Sequence, residues 1–404
     1  PVVLEEAGIR QADIMLAVTN SDEINLVACM MADKLSSTTK KLARLRGADY
    51  DDYHDSFRDS EPHIDTIINP EIEVVKTIDR LMSYPGAVDV LEFAGGRVNL
   101  IGVRLDEESN FAGLKLFELS KHIGDKKILI AAVVRQEKLI IPRGDDRLKT
   151  GDVVYFITEK EKVLENLSIF DMNEPPSRRV MIIGGGRIGY RLCQLLEKKN
   201  IHAKIIEKSG ERCKRLAEKL NKVVVLQGDG SDQELLAEEN IGDMDAFVAL
   251  TDDEETNILA SLLAKRMGAD KVITLINRPA YVDLVEADRI DVAVSPQQVT
   301  IGALLTHIRR GHMVRVHSLR RGATEAIEAV AHGATGLSTV VGKRIEEIDL
   351  PPETTIGGIV RGEEVIIAHH DVVIQNDDHV ILFVADQSQI REVEKLFSVD
   401  VVFV

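Results

Sequence analysis

The residues best suited to chemistry lie between Val180 and Glu207. Gly184, Gly186 and Gly189 stand at G-x-G-x-x-G spacing within VMIIGGGRIGYRL, with Gly185, Arg187 and Ile188 filling the turn. A short apolar run precedes them, and Ile188, Leu192, Leu195 and Leu196 follow at helical spacing. Glu207 closes the next apolar run, 18 residues after Gly189. This is the strand–turn–helix–strand–acid context that a dinucleotide site requires. Gly184 would make the tight turn, Gly186 would admit a pyrophosphate to backbone N–H groups, and Gly189 would let helix and strand pack closely. The helix start adds unpaired N–H donors and partial positive charge for phosphates. A carboxylate at Glu207 can accept from ribose hydroxyls and repels a 2′-phosphate. NAD(H) is therefore the expected ligand, with ATP and ADP as further candidates. The alternative is a glycine turn that serves packing alone.

Two more clusters follow apolar runs that read as strands. Gly228-Asp229-Gly230 comes after the third and Thr251-Asp252 after the fourth, where ligands of parallel sheets gather. Thr19-Asn20 occupies the place of Thr251-Asp252 in an earlier copy of the same pattern. Thr19 and Thr251 read equally as helix N-caps. Arg44 ends another short apolar run and is suited to a phosphate. Aligning Tyr50 with Tyr281 sets Leu275 opposite Arg44, so two sites built this way need not bind the same ligand.

Other chemistries lack their residues. No Tyr-x-x-x-Lys, His-Glu-x-x-His or phosphate-loop Lys occurs. Cys29, Cys193 and Cys213 have no metal or disulfide spacing and read as reduced thiols. His369-His370-Asp371 is the densest metal-capable cluster, but alternation along a strand would aim its histidines apart. No catalytic residue and no metal ligand is expected.

The elements that must position these groups repeat. Leu4, Glu6, Ile9 and Asp13 recur as Leu236, Glu238, Ile241 and Asp245, and TNSDEIN at 19–25 recurs as TDDEETN at 251–257. Val134-Arg135 and Gly151-Asp152 recur as Val360-Arg361 and Asp377-Asp378. Residues 1–166 and 233–404 are thus copies of one unit. The portion at 178–232 has no counterpart after Pro1, and about 50 residues are expected to precede it in the intact product. Pro175 and Pro176 mark a linker between the copies.

Alternating apolar runs and helical periods over 179–310 predict an α/β fold with a doubly wound parallel sheet. Strands are expected at 179–183, 202–206, 223–226, 246–250, 271–276 and 291–294, and a helix beginning at Pro296. The stretch from Thr354 to Ala385 reads as strands and tight turns, closed by a helix over 387–396, which is a small α+β module. The expected modules are 1–80 (incomplete) and 178–300 for the parallel sheets, and 90–174 and 315–404 for the β-rich companions.

The chain has 404 residues, 44% apolar and 29% charged, with no Trp and a net charge of −17. At about 150 residues per domain this alone suggests two or three domains. The acidity disfavours nucleic acid as a partner. No apolar run approaches the ~18 residues of a membrane span. Arg309, Arg310, Arg315, Arg320 and Arg321 form a local basic group, read either as an assembly face or as solvated charge.

Gly184–Gly189, Glu207, Gly228-Asp229 and ELLAEENIGDMDAFVALTDDEETNILASLLAKRMGA together resemble the RCK (KTN) family, regulators of potassium conductance. The Gly357–Arg361 and Asp377–Val380 stretches resemble that family's C-terminal module. Over the whole chain the resemblance implies tandem Rossmann-like RCK domains, each followed by an RCK C-terminal domain. The family's first glycine turn is not found here, so the first site would keep only Thr19, Asn20 and Arg44. The resemblance further implies a regulatory rather than enzymatic protein, cytoplasmic and peripheral at the inner membrane face. It would form a homo-oligomeric ring on a TrkH/TrkG-like potassium channel or transporter and respond to nucleotide. A regulator of another cation transporter, and an NAD-dependent oxidoreductase, are the alternative readings.

Overall fold

A computed structural model describes residues 1–59, 63–107, 109–123, 128–136, 138–278, 280–282, 290–308, 313–319, 324–333 and 338–398. In the first unit the elements are α1 (Val2–Glu6), β1 (Ile14–Ala17), α2 (Asp22–Leu35), β2 (Lys40–Arg44), α3 (His54–Asp59), β3 (Thr66–Ile68) and α4 (Pro70–Ser83). Its β-rich part holds β4 (Asp89–Phe93), β5 (Val98–Arg104), α5 (Leu116–Ile123), β6 (Leu129–Arg135), β7 (Lys138–Ile140), β8 (Val153–Glu159) and α6 (Val163–Leu167).

The second unit opens with β9 (Arg179–Ile183), α7 (Arg187–Lys198), β10 (His202–Glu207), α8 (Gly210–Lys219), β11 (Val224–Gln227) and α9 (Gln233–Glu238). It continues with β12 (Ala246–Ala249), α10 (Glu254–Arg266), β13 (Lys271–Leu275), β14 (Val292–Val294) and α11 (Pro296–Ile308). Then come β15 (Met313–Leu319), β16 (Thr324–Val330), β17 (Thr354–Arg361), β18 (Glu364–Ile367), β19 (His379–Val384) and α12 (Ile390–Leu396).

Among the described residues β9–β14 form one parallel sheet in the order β11-β10-β9-β12-β13-β14. The order reverses between β9 and β12, which opens a crevice at their C-terminal ends. β9, β12 and β13 are buried along their whole length apart from Arg179, as central strands covered on both faces must be. In the first unit β1-β2-β3 form a parallel sheet that corresponds to β12-β13-β14. The β-rich parts are antiparallel sheets of matching order, β4-β5-β8-β6-β7 and β15-β16-β19-β17-β18. They pack face to face through one core that joins Phe93, Leu100 and Ile157 to Leu319, Ile381 and Phe383.

Helix α4 shows how the units are fastened. Asn69 caps it by accepting from the Glu71 and Ile72 N–H groups, and Pro70 fills its first position. Val74, Val75, Ile78, Leu81 and Met82 follow at helical spacing and are buried. They share a core with Val180, Ile182, Leu192 and Leu196 of the second unit. Each fully buried side chain of this size contributes roughly 1.5–3 kcal/mol. A first-unit helix is thus held against the domain that carries the glycine turn.

Two details differ from the sequence expectation, and a third falls largely outside the described residues. His369-His370-Asp371 does not lie on a strand: β18 ends at Ile367, and a turn closes with the His369 N–H donating to the Ile367 carbonyl. The 387–396 segment begins as a 3₁₀ turn, Gln387–Gln389, because Asp386 caps it locally by accepting from the Ser388 N–H. Arg309, Arg310, Arg320 and Arg321 lie outside the described residues, and Arg315 donates to the Glu92 carbonyl at 3.1 Å.

Candidate functional site

The C-terminal ends of β9, β10, β12 and β13 border a cleft of about 960 Å³. Gly184, Gly186, Arg187, Ile188, Glu207, Asp229, Gly230, Thr251 and Asp252 all line it. The glycines play distinct parts. Gly184 has φ +96°, and a Cβ there would sit 2.8 Å from the Leu250–Thr251 backbone. A Cβ on Gly189 would run into the Gly184 carbonyl oxygen, so the helix approaches the turn this closely only because residue 189 is glycine. A Cβ on Gly186 would meet nothing within 4 Å, which leaves its backbone open on the cleft side. Gly186 is also the N-cap of α7 and makes no side-chain cap bond, so the first N–H groups of α7 keep no side-chain acceptor there.

Glu207 is more committed than an acid waiting for a ribose. Its Oε2 accepts from the Gly185 N–H at 2.8 Å and its Oε1 from the Ser209 N–H at 2.7 Å, and Arg212 approaches to 3.5 Å. Only 5% of the residue is exposed. Glu207 therefore holds the turn in shape, and Oε1, with Ser209 as its one bonded donor, keeps a lone pair. Asp229 accepts from the Ser231 N–H and hydroxyl and from Lys208. Those hydrogen bonds pull its carboxyl down to about 2, led by the bonds to Ser231. Lys208 is thereby drawn toward Asp229 and away from the acid beside it.

Thr251 is not a helix cap. The N-cap of α10 is Asp253, whose side chain accepts from the Thr256 N–H, and that of α2 is Ser21. Thr251 instead accepts from the Asp253 N–H and is itself held by Asn257. Asn257 Oδ1 accepts from the Thr251 N–H and hydroxyl, while Nδ2 donates to the carbonyls of Thr251 and Leu275. Asn25 makes the same four contacts with Thr19 and Arg44. The sequence contained the signal, an Asn six residues after each Thr, but it names no partner until the fold is known.

Thr19, Asn20 and Arg44 meet at the ends of β1 and β2, away from the glycine turn's cleft. Arg44 donates to the Thr19 carbonyl at 2.8 Å, and Arg46 donates to the Asn20 carbonyl. The Arg44 Nε–H is buried without an acceptor, so this end of the first sheet has spare donor capacity.

One lining residue was not visible from local sequence. Glu71, at the start of α4, reaches the cleft from the first unit. It stands 3.4 Å from Arg187 and 3.4 Å from Arg191. Burial raises its pKa, against the downward pull of the two guanidinium groups. Arg187, beside the glycine turn, therefore faces an acid supplied by the other half of the chain.

The comparisons agree with this architecture. A TrkA-N domain matches residues 1–70 and 180–296, and a TrkA-C domain matches 100–170 and 337–398. The Trk system potassium uptake protein TrkA of Halomonas elongata is 50% identical over all of this chain and 88% of its own length. That of Vibrio alginolyticus is 47% identical over 98% of this chain and 87% of its own. Among solved structures, the GsuK channel bound to NAD superposes with TM-score 0.57 at 18% identity, covering 98% of this chain and 69% of that one. The GsuK RCK domain gives TM-score 0.55 at 18% identity over 96% and 81%. These two likenesses bear on the fold.

Proposed function

This chain belongs to the TrkA family, with TrkA-N and TrkA-C domains in each of two units, and from that membership we propose that it is the nucleotide-binding regulatory subunit of a Trk-type potassium uptake system. Its place is the cytoplasmic face of the membrane, as a homo-oligomeric ring on an integral-membrane subunit of the TrkH/TrkG kind. Among the described residues no helix is long and apolar enough to cross a membrane.

The observation that carries the nucleotide reading is the open Gly186 backbone beside the uncapped start of α7, with Glu207, bonded to the Gly185 N–H, lining the same cleft. A pyrophosphate fits the first and a ribose diol the second. This favours NAD(H); ATP and ADP share the ribose and phosphate contacts. The cleft reads as a binding site: Glu207 holds backbone N–H groups of the turn and Asp229 holds Ser231 and Lys208.

Regulation requires that nucleotide bind one arrangement of the ring better than another. A nearly complete switch takes about 5.5 kcal/mol of differential binding, which several sites can share. Glu71 supplies a route: a phosphate group at Arg187 competes with Glu71 for the guanidinium and so alters how the first unit is held. The test is reconstitution with the membrane subunit, with potassium flux measured with and without NADH, NAD⁺, ATP and ADP. Flux that ignores every nucleotide rejects the reading.

A further inference from the structure

Helix α4 is attached to the second nucleotide domain at both ends. Its first turn reaches Arg187 and Arg191 through Glu71, and Asp79 farther along pairs with Lys199. At its C-terminal end four backbone carbonyls converge on one side chain from β13. Lys271 Nζ lies 2.9 Å from the Leu81 oxygen, 3.4 Å from Tyr84, 2.8 Å from Pro85 and 2.7 Å from Ala87. Lys271 is 4% exposed. Three N–H donors satisfied by carbonyls, at the negative end of a helix dipole, make a strong site for an ammonium group.

The carbonyls belong to the junction between the first nucleotide-type domain and its β-rich module. Residues 84–88 carry the chain from α4 into β4, where the Val88 N–H donates to the Gly102 carbonyl and the Tyr84 side chain bonds Asn99 of β5. The other end of β13 is at the nucleotide cleft. Leu275 lines that cleft and its carbonyl is held by Asn257. Lys271 and Leu275 are thus the two ends of one strand, about 13 Å apart at strand rise and buried throughout. A buried central strand moves as a rigid piece.

We infer that Lys271 is the positioning residue that makes the first unit's inter-domain junction follow the nucleotide-binding domain of the second. This rests on the nucleotide reading above. Lys40 holds the corresponding place on β2 and is exposed, and its charge helps to lower the pKa of His307, near the end of the corresponding helix α11, whose burial is the larger cause. The closed carbonyl grip is therefore a property of the second unit's strand. Burial pushes the Lys271 amine down to about 7, Asp291 and Glu174 act in the opposite direction, and Lys265 adds to the depression. The four carbonyls favour the charged form.

The test uses the full chain. Amide hydrogen exchange at 84–88 and NADH binding by calorimetry are measured in the native protein and in Lys271→Met. In the native chain NADH slows exchange at 84–88. Lys271→Met binds NADH within threefold of native, speeds basal exchange there at least tenfold, and loses the NADH-dependent change. A variant that keeps the NADH-dependent change overturns the inference and leaves the nucleotide reading intact. A native chain that binds no NADH or other adenine nucleotide overturns that reading and the inference with it. A native chain that binds NADH with no change at 84–88 overturns the inference alone. Should Lys271→Met not fold, Lys271→Gln is measured in its place with the same outcomes, and a native chain with no change at 84–88 overturns the inference by itself.

Discussion

Asn257 and Thr251 are joined by three hydrogen bonds, and Asn257 spends its remaining donor on the Leu275 carbonyl. One amide thereby ties the ends of β12 and β13 together at the cleft beside the glycine turn. Asn257 is 1% exposed, so no water replaces a lost partner readily. Replacing it with Leu strands the Thr251 N–H and two carbonyls. Asn257→Leu is expected to destabilise the second nucleotide domain by about 2–3 kcal/mol. The fall should appear in urea unfolding followed by a fluorescent label on that domain. Asn25→Leu should act the same way on the first sheet.

The pairing of Asn257 with Thr251 shows how far the sequence could be read. Repeat spacing found that 19–25 and 251–257 are equivalent, and the fold gives the two segments one hydrogen-bond pattern. Alternation of apolar runs placed the second unit's strands within about two residues, because β9, β12 and β13 are mostly apolar and flanked by turn residues. The bonds of Glu207 to Gly185 and Ser209 were not legible, since a backbone N–H leaves no mark in composition. Glu71 and Lys271 were out of reach for another reason. Each acts on the opposite unit, more than a hundred residues away, and periodicity reports only local order. Locally Glu71 is an acid in a first helical turn, and Lys271 is a charged residue at the start of a strand.

Gly186 and Gly189 should separate binding from folding. A Cβ at Gly186 meets no atom within 4 Å, and its φ of −70° suits any residue. Gly186→Ala is expected to fold with unchanged unfolding midpoint while weakening NADH at least tenfold, about 1.4 kcal/mol, because the methyl group occupies the phosphate approach. Gly189→Ala forces a Cβ onto the Gly184 carbonyl and should lower stability outright. Calorimetric titration and thermal unfolding of both variants check the contrast.

Glu207 calls for a conservative substitution. Alanine removes the acceptors of two backbone N–H groups and disturbs the turn as well as the ligand contact. Glu207→Gln keeps the shape and one oxygen acceptor. It is expected to weaken NADH by roughly tenfold, or about 1.4 kcal/mol, and to narrow the preference for NADH over NADPH, since the negative charge facing a 2′-phosphate is gone. Equal loss for both cofactors would mean that Glu207 serves the turn and not the ribose.

Arg361 and Asp378 form a two-point ion pair at 2.9 and 2.8 Å, repeated as Arg135 and Asp152 in the first unit. Asp378 is fully buried, and it also accepts from the Gln375 N–H. Arg361→Met leaves that carboxylate without its cation and is expected to cost about 3–5 kcal/mol. Removing both partners with Arg361→Met and Asp378→Asn should cost less than the single change. Urea midpoints of the three proteins measure the difference.

His317 sets a pH dependence where the two β-rich modules meet. Its Nε2 is 3.1 Å from the Glu92 carbonyl of the first unit, and its ring meets Phe93 edge-on at 5.0 Å. Burial pushes the imidazole down to about 4, with Arg80 and Arg315 adding to the effect and the Glu92 carbonyl opposing it. The unfolded chain binds this proton near pH 6.5, above the folded value, so stability is lost as pH falls from about 6.5 to about 4. Over that window each pH unit of differential protonation is worth at most about 1.4 kcal/mol. Above pH 7 the imidazole is neutral in both states and contributes no slope. His317→Gln keeps a donor for the Glu92 carbonyl and does not titrate. Its urea midpoint is expected to fall less steeply between pH 6.5 and 4 than that of the native chain, and parallel profiles would remove His317 as the source.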